Sequence, residues 1–157
     1  MRSLPCCVLL AVLATAGARA ADPQFTLVWP QWHSADSFQS YYEYHTGREL
    51  TGKWIILRSQ PEERSGLYFT VRLNNPEAEV VGAKFVLSVI NPDATDTKVY
   101  SFPANIPAGR RVFEVGITGR DWSNSHIQPV AWDMELQGPD GRVLAKKSSF
   151  LWEKWGR

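Results

Sequence analysis

Apolar and polar residues alternate along most of this chain, and alternation with a period of two is typical of a β-strand with one buried face. The clearest run is 67–73, in which every second residue is apolar. Similar runs recur after short intervals rich in Gly, Pro and Asn, which are the residues that build turns. The pattern predicts about eight short strands, in the runs 25–29, 53–58, 67–73, 85–89, 99–102, 113–117, 130–136 and 143–152.

Turn residues predict where some of these strands end. Gly138-Pro139-Asp140-Gly141 is typical of a tight hairpin turn, because proline presets φ and glycine accepts a positive φ. Pro103 is expected to end the run 99–102, because proline has no N–H to donate to a neighbouring strand.

One segment has a helical spacing instead. Asp36 is in a position to cap a helix, and Gly47 is in a position to end it. The pattern therefore predicts a short helix over 36–46. Its single face would carry the residues Phe38, Tyr41, Tyr42 and His45.

Many short strands with one helical excursion favour an all-β fold built from two packed sheets over an alternating β/α fold. We therefore expect an antiparallel β-sandwich. Because a chain of this length can bury a sizeable core, one domain over 21–157 accounts for it.

Three segments add a resemblance to this expectation: VRLNNPEAEVVGAKFVLSVI, NIPAGRRVFEVGI and VAWDMELQGPDGRVLA. Together they resemble Ig-like β-sandwich modules of exported bacterial proteins, in which similar turns join successive strands. The resemblance covers about residues 67–152 and implies an Ig-like sandwich that binds or positions other molecules. Residues 21–66 match no pattern of that family.

The first twenty residues have the features of a secretory signal peptide. Arg2 supplies a basic start, 8–16 is an apolar run, and Ala18-Arg19-Ala20 is a small-x-small cleavage pattern. We expect residues 1–20 to be removed and the mature chain to begin at Ala21. The protein is then exported, and it is periplasmic or extracellular and soluble.

The position of the two cysteines argues against a lipoprotein. Cys6 and Cys7 precede the apolar run, whereas a lipidated cysteine would follow that run at the cleavage point, where Ala21 stands. The mature chain is therefore expected to carry neither a cysteine nor a lipid.

The charge balance limits the partners. Removing Arg2 and Arg19 from the 17 basic residues leaves 15, against 16 acidic residues. Binding to nucleic acid needs a basic surface, and no basic run occurs, so nucleic acid is not an expected partner. Membrane insertion after signal cleavage is not expected either. The expected partner is a protein in the cell envelope or a carbohydrate.

The segment RDWSNSHIQPVAWDMEL, residues 120–136, holds more chemistry than any other. Residues so close in one loop rarely converge as a catalytic triad does, and no G-x-S-x-G pattern occurs. A solvated loop or a strand cap is the preferred interpretation, and the protein is expected not to be an enzyme. The residue types of a hydrolytic triad in the segment are Asp121, Ser123, Ser125 and His126.

No cofactor and no metal are expected. The chain has three histidines, His33, His45 and His126, and none of them has the spacing of paired metal ligands. The segment 91–96 has some resemblance to a calcium loop but lacks the central glycine and the closing acid, so a polar turn is the preferred interpretation.

The tryptophans divide by their surroundings. Trp132 alternates with the apolar residues of its strand and is expected in the core, as are Trp29 and Trp152 by the same parity. Trp32 and Trp122 lie outside any alternation. They would either plug the ends of the sandwich, which is the favoured reading, or stack on a sugar ring.

The tentative ligand site comprises Trp32, Asp121, Trp122, Asn124 and His126. In a polar loop, Trp122→Ala is expected to cost under about 1 kcal/mol. Three functions follow in order of preference: a secreted, non-enzymatic module with a protein-interaction or structural role, a carbohydrate-binding module that uses the loop tryptophans, and an envelope hydrolase.

Overall fold

The structure is a computed structural model that describes residues 21–38, 54–92 and 96–155. Short 3₁₀ helices lie at Ala35–Phe38 and Gly119–Asp121, and an α-helix, α1, spans Phe150–Trp155. Eight strands lie in the described ranges: β1 (Gln24–His33), β2 (Trp54–Arg58), β3 (Gly66–Asn75), β4 (Val80–Ile90), β5 (Thr97–Ile106), β6 (Gly109–Thr118), β7 (Ala131–Gln137) and β8 (Val143–Ser148).

The strands form two sheets of four, which confirms the all-β sandwich. Sheet A has the order β1-β3-β6-β2 and sheet B the order β5-β4-β7-β8. Alternation along each strand sends one set of side chains between the sheets. Phe69 of sheet A meets Trp132 of sheet B there, with ring centroids 5.5 Å apart. The predicted inward residues of β3, β4, β6 and β7 are all buried: Leu67, Phe69, Val71, Leu73, Phe85, Leu87, Val89, Phe113, Val115, Ile117, Trp132, Met134 and Leu136.

The strand order corresponds to that of an immunoglobulin sandwich, with one exchange. Strands β1, β3 and β6 lie in the order A-B-E, and β5, β4, β7 and β8 lie in the order C′-C-F-G. The position of strand D, beside E, is occupied by β2, which comes earlier in the chain. Since β2 pairs with β6 in parallel, sheet A is not purely antiparallel. The edge strand β2 therefore reaches its place by a crossover from the opposite edge of the sheet.

The prediction that Trp29 lies in the core is wrong, because β1 contains a bulge. The pairing of β1 with β3 shifts register between Phe25 and Leu27. A bulge reverses the faces of all residues that follow it. Val28 therefore packs in the core, and Trp29 is 59% exposed on the outer face of sheet A.

The prediction that Pro103 ends its strand is also wrong. Strand β5 continues to Ile106, and Pro103 pairs with Lys84 of β4. β5 is an edge strand of sheet B, and an edge strand tolerates proline because it pairs on one side only. The hairpin at 138–141 is confirmed, with Gly141 at φ 80° and its N–H donating to the Gly138 carbonyl over 2.9 Å.

The last predicted strand, 143–152, divides into a strand and a helix. Strand β8 ends at Ser148, and Ser149 then acts as the cap of α1, since its Oγ accepts a hydrogen bond from the N–H of Trp152 at 3.4 Å. The same Oγ accepts from the N–H of Trp132 at 3.0 Å. Trp152 is half-buried on this helix and not part of a strand, while Phe150 is exposed.

Two predictions fall largely outside the described ranges. Of the helix expected over 36–46, the structure describes a 3₁₀ helix at Ala35–Phe38, and 39–46 lie outside the description. The signal peptide over 1–20 lies outside it entirely. Among the residues that are described, no helix has the length and apolar character needed to cross a bilayer.

Candidate functional site

Asp121, the acid of the segment 120–136, connects the 3₁₀ helix that follows β6 to the loop that follows β2. Its Oδ2 accepts hydrogen bonds from Ser59 Oγ at 2.8 Å and from Gln60 Nε2 at 2.9 Å. Burial, with the nearby charge of Asp121 as a second cause, raises the pKa of Tyr100. The carboxylate is thus occupied by the chain that leaves β2, which is a structural role.

The neighbouring Thr118 strengthens this junction. Its Oγ1 accepts from the N–H of Gln60 and donates to the Gln60 carbonyl, both at 3.0 Å, while its own N–H donates to Ser59 Oγ at 2.9 Å. Thr118 is fully buried. These hydrogen bonds join the chain that follows β2 to the end of β6.

The two loop tryptophans pack against the core, as the favoured reading predicted. Trp122 is only 5% exposed, and its Nε1 donates to the Ile127 carbonyl at 3.2 Å. Trp32 is half-buried against the same core, and its Nε1 is buried without a hydrogen-bond partner among the described residues. Because Trp122 has no exposed ring face, it cannot stack on a sugar. Its burial also means that Trp122→Ala should cost more than the value of under about 1 kcal/mol expected for a residue in a polar loop.

The other two members of the tentative ligand site lie in an exposed turn. Asn124 Oδ1 accepts a hydrogen bond from the N–H of His126 at 2.9 Å, and both side chains face solvent. Asp121, Trp122 and Asn124 come together at a cleft of about 270 Å³, whereas Trp32 and His126 do not line it. The described residues around this cleft are Asn91, Lys98, Arg120, Asp121, Trp122, Ser123, Asn124 and Ile127.

A larger depression lies at the opposite end of β6, and residues of the outer face of sheet A form most of its lining. The pairing places Trp54 of β2, Val112 of β6 and Arg72 of β3 in one row across the sheet. Arg110 and Asn74 form the next row. We call this depression the arginine groove, about 1060 Å³ in volume and lined among the described residues by Thr26, Trp54, Ile55, Arg72, Leu73, Asn74, Arg110, Arg111 and Val112.

The arginine groove is basic and its charges are not neutralised. Arg72, Arg110 and Arg111 are exposed, and in the described part of the chain none of them forms an ion pair. Arg111 Nη1 donates to the Arg110 carbonyl at 2.9 Å. Arg72 and Arg110 are diagonal neighbours on adjacent strands, a position in which side chains start about 7–8 Å apart. Two arginine side chains that start at this separation are long enough to bring both guanidinium groups to one anion.

The groove also contains an open aromatic face. Trp54 is 52% exposed at the edge of sheet A. A strand carries it, and the parallel pairing of β2 with β6 fixes its position relative to Val112. An indole held in this way presents a flat apolar surface at low conformational cost. Charge and aromatic surface therefore occur in the same depression.

Toward the other end of β6, the outer face of sheet A is closed. Tyr68 is fully buried there, with the Phe38 ring tilted against its ring at a centroid distance of 4.5 Å and Arg58 Nε donating to its hydroxyl at 3.0 Å. A side chain at Gly116 would meet the Tyr68 ring at 2.4 Å, so glycine is required at that position.

Between the closed end and the groove lies Glu114, which is 3% exposed. Thr70 Oγ1 donates to its carboxylate at 3.0 Å. Burial raises the pKa of Glu114, against the opposing effect of that hydrogen bond.

Sequence reasoning did not find the arginine groove. Arg72 and Arg110 are ordinary polar residues in alternating runs, and Trp54 precedes two isoleucines that make it resemble a core residue. The parity of Arg72 beside two buried neighbours does place it on an outer face. Only the strand pairing shows that the three residues share one depression.

Comparison with known proteins does not assign a function. No protein-family model matches the chain, and no curated protein matches it at a significant level. The functional argument therefore rests on the geometry described above.

Proposed function

We propose that this protein is an exported, non-enzymatic β-sandwich module that acts by binding a partner, in the manner of the Ig-like modules of exported bacterial proteins. The arginine groove is the proposed binding surface. The proposal depends on one observation: Trp54 is half-exposed at the edge of sheet A, in the same groove as arginines that form no ion pair in the described chain. Exposed aromatic and arginine side chains are the residue types that contribute most at binding sites.

The chemistry-rich segment 120–136 supports a structural role better than a catalytic one. Asp121 is engaged with Ser59 and Gln60, and His126 faces solvent in a turn. A base and its orienting acid need a direct hydrogen bond, whereas this acid is bonded to other groups.

Binding can be tested without knowing the partner. The labelled mature protein, residues 21–157, would be sedimented with envelopes isolated from the source cells. We expect saturable binding that Trp54→Ala weakens at least tenfold. Val99→Ala is the matched control, because Val99 is exposed on sheet B, and it should bind as the parent does.

Pretreatment of the envelopes separates the two kinds of partner. Loss of binding after protease digestion indicates a protein, and loss after periodate oxidation indicates a carbohydrate. The proposal fails if the mature protein does not bind envelopes, or if Trp54→Ala binds them as well as the parent does.

Export has a separate test. Expression of the full chain should yield a secreted protein whose intact mass corresponds to a start at Ala21. A mass that retains Cys6 and Cys7, or that includes a lipid, would contradict the proposed cleavage.

A further inference from the structure

The charged residues that line the arginine groove are all positive in the described part of the chain. The described residues that line it include three arginines and no acid. The mature chain as a whole has slightly more acidic than basic residues, so this charge is local and not a general property of the surface. A ligand with a negative group would be attracted to this groove in particular.

The other lining groups suit a ring with hydroxyl substituents. Trp54 offers a flat apolar face, and the amide of Asn74 can both donate and accept hydrogen bonds. The groove volume of about 1060 Å³ is just above the range of about 300–1,000 Å³ that is usual for small-molecule sites. It therefore has room for more than one sugar unit.

We propose that the arginine groove binds an acidic carbohydrate, a chain of sugar rings that carry carboxylate or sulfate groups. Arg72 and Arg110 hold the anionic group in paired hydrogen bonds, which the planar guanidinium forms readily with both kinds of anion. Trp54 stacks on the ring. This inference rests on the proposed binding function and names the class of its ligand.

An acidic peptide is the closest alternative. Clustered arginines alone are enough to recognise an acidic peptide motif. The groove adds a half-exposed indole and an amide next to those arginines, and this combination favours a ring ligand. A neutral sugar would use the indole and the amide but would leave the arginine charges unpaired.

The test uses probes matched in everything but charge. Binding of the mature protein to oligogalacturonate and to its methyl ester would be measured by titration calorimetry, with dextran sulfate against dextran as a second pair. Polyglutamate represents the acidic peptide. We expect the acidic carbohydrates to bind at least tenfold more tightly than their neutral counterparts and more tightly than polyglutamate. Binding should weaken as salt is raised.

Variants locate the site. Arg72→Gln and Arg110→Gln should each weaken oligogalacturonate binding about tenfold, and Trp54→Ala should weaken it similarly. Arg72→Lys should retain only part of the binding, because lysine lacks the planar guanidinium that donates two parallel hydrogen bonds. Arg120→Gln is the matched control: Arg120 is exposed at the other cleft, so the same change of charge should have no effect there. Circular dichroism verifies that each variant is folded.

Several outcomes would overturn the inference. Equal affinity for the ester points to a neutral-sugar site, and tighter binding of polyglutamate points to a peptide site. In both cases the binding function stands and the ligand class is wrong. If Arg72→Gln and Arg120→Gln lose the same affinity for oligogalacturonate, the binding depends only on the overall charge of the protein and not on the arginine groove. Absence of binding to every probe also overturns the inference, and the envelope experiment then decides separately on the proposed function.

Discussion

The two ends of β6 use polar residues in opposite ways. At the Thr118 end, a hydroxyl, a carboxylate and backbone groups bond to one another, and Trp122 closes the core below them. At the Arg110 end, guanidinium groups and an indole face an open groove. The first end is richer in the residue types of catalysis, yet its groups are already occupied. A candidate site is therefore identified by exposed polar and aromatic groups that are not engaged within the protein, and not by the density of reactive residue types.

The largest expected effect compares one tryptophan from each end. Trp122→Ala should destabilise the protein by about 3–5 kcal/mol, because it opens a cavity in the core and removes the hydrogen bond to Ile127. Trp54→Ala should cost under about 1 kcal/mol, since half of that side chain is already in water. Urea denaturation of both variants beside the parent measures the difference. Equal costs would mean that the two ends do not differ in the way described.

The next effect tests whether Asp121 is structural. Asp121→Ala leaves Ser59 Oγ and Gln60 Nε2 without their acceptor, and the expected loss is about 1–3 kcal/mol of unfolding free energy. Asn124→Ala, its control from the same cleft, removes one exposed hydrogen bond and should cost less than about 1 kcal/mol. A stable Asp121→Ala variant with altered ligand binding would contradict the structural role and indicate that this carboxylate contacts the ligand.

Glu114, between the two ends, should make stability depend on pH. Burial raises its pKa above the usual value of 4.5, so the folded protein holds this proton more tightly than the unfolded chain does. Its contribution to stability is therefore largest below about pH 4.5 and falls as pH rises through the folded pKa. Glu114→Gln should raise the melting temperature at pH 7 and remove that part of the pH dependence.

Glu135 provides a control of the opposite sign. Hydrogen bonds from Lys146 and Gln137 lower its pKa, so its stabilising effect is present above pH 4.5 and is lost as pH falls through the folded pKa. Glu135→Gln should lower the melting temperature at pH 7. Thermal melts of the parent and both variants between pH 3 and pH 8 measure the two trends, and shifts of the same sign would refute the assignment for Glu114.

The smallest expected effect is at His126. Its side chain is exposed, so His126→Ala should change the unfolding free energy by no more than about 0.5 kcal/mol. Binding at the arginine groove should also be unchanged. A loss of binding in this variant would move the functional surface to the Thr118 end of β6.

The sequence by itself determined the sandwich. Alternation identified which side chains of β3, β4, β6 and β7 point between the two sheets, because a period of two assigns each side chain to one side of a strand. It also determined the hairpin at 138–141, since turn chemistry is local. The near balance of basic and acidic residues can be read from the sequence as well.

Only the tertiary structure decided the surface. A bulge in β1 turned Trp29 outward, and no local pattern announces a bulge of that kind. The parallel pairing of β2 with β6 placed Trp54 in one row with Arg72, across Val112, and in the same groove as Arg110, although these residues are far apart in sequence. Burial of Trp122 depended on the core it closes, because its sequence neighbours are polar. Local patterns report which face a residue takes, whereas contacts between distant strands decide which faces meet.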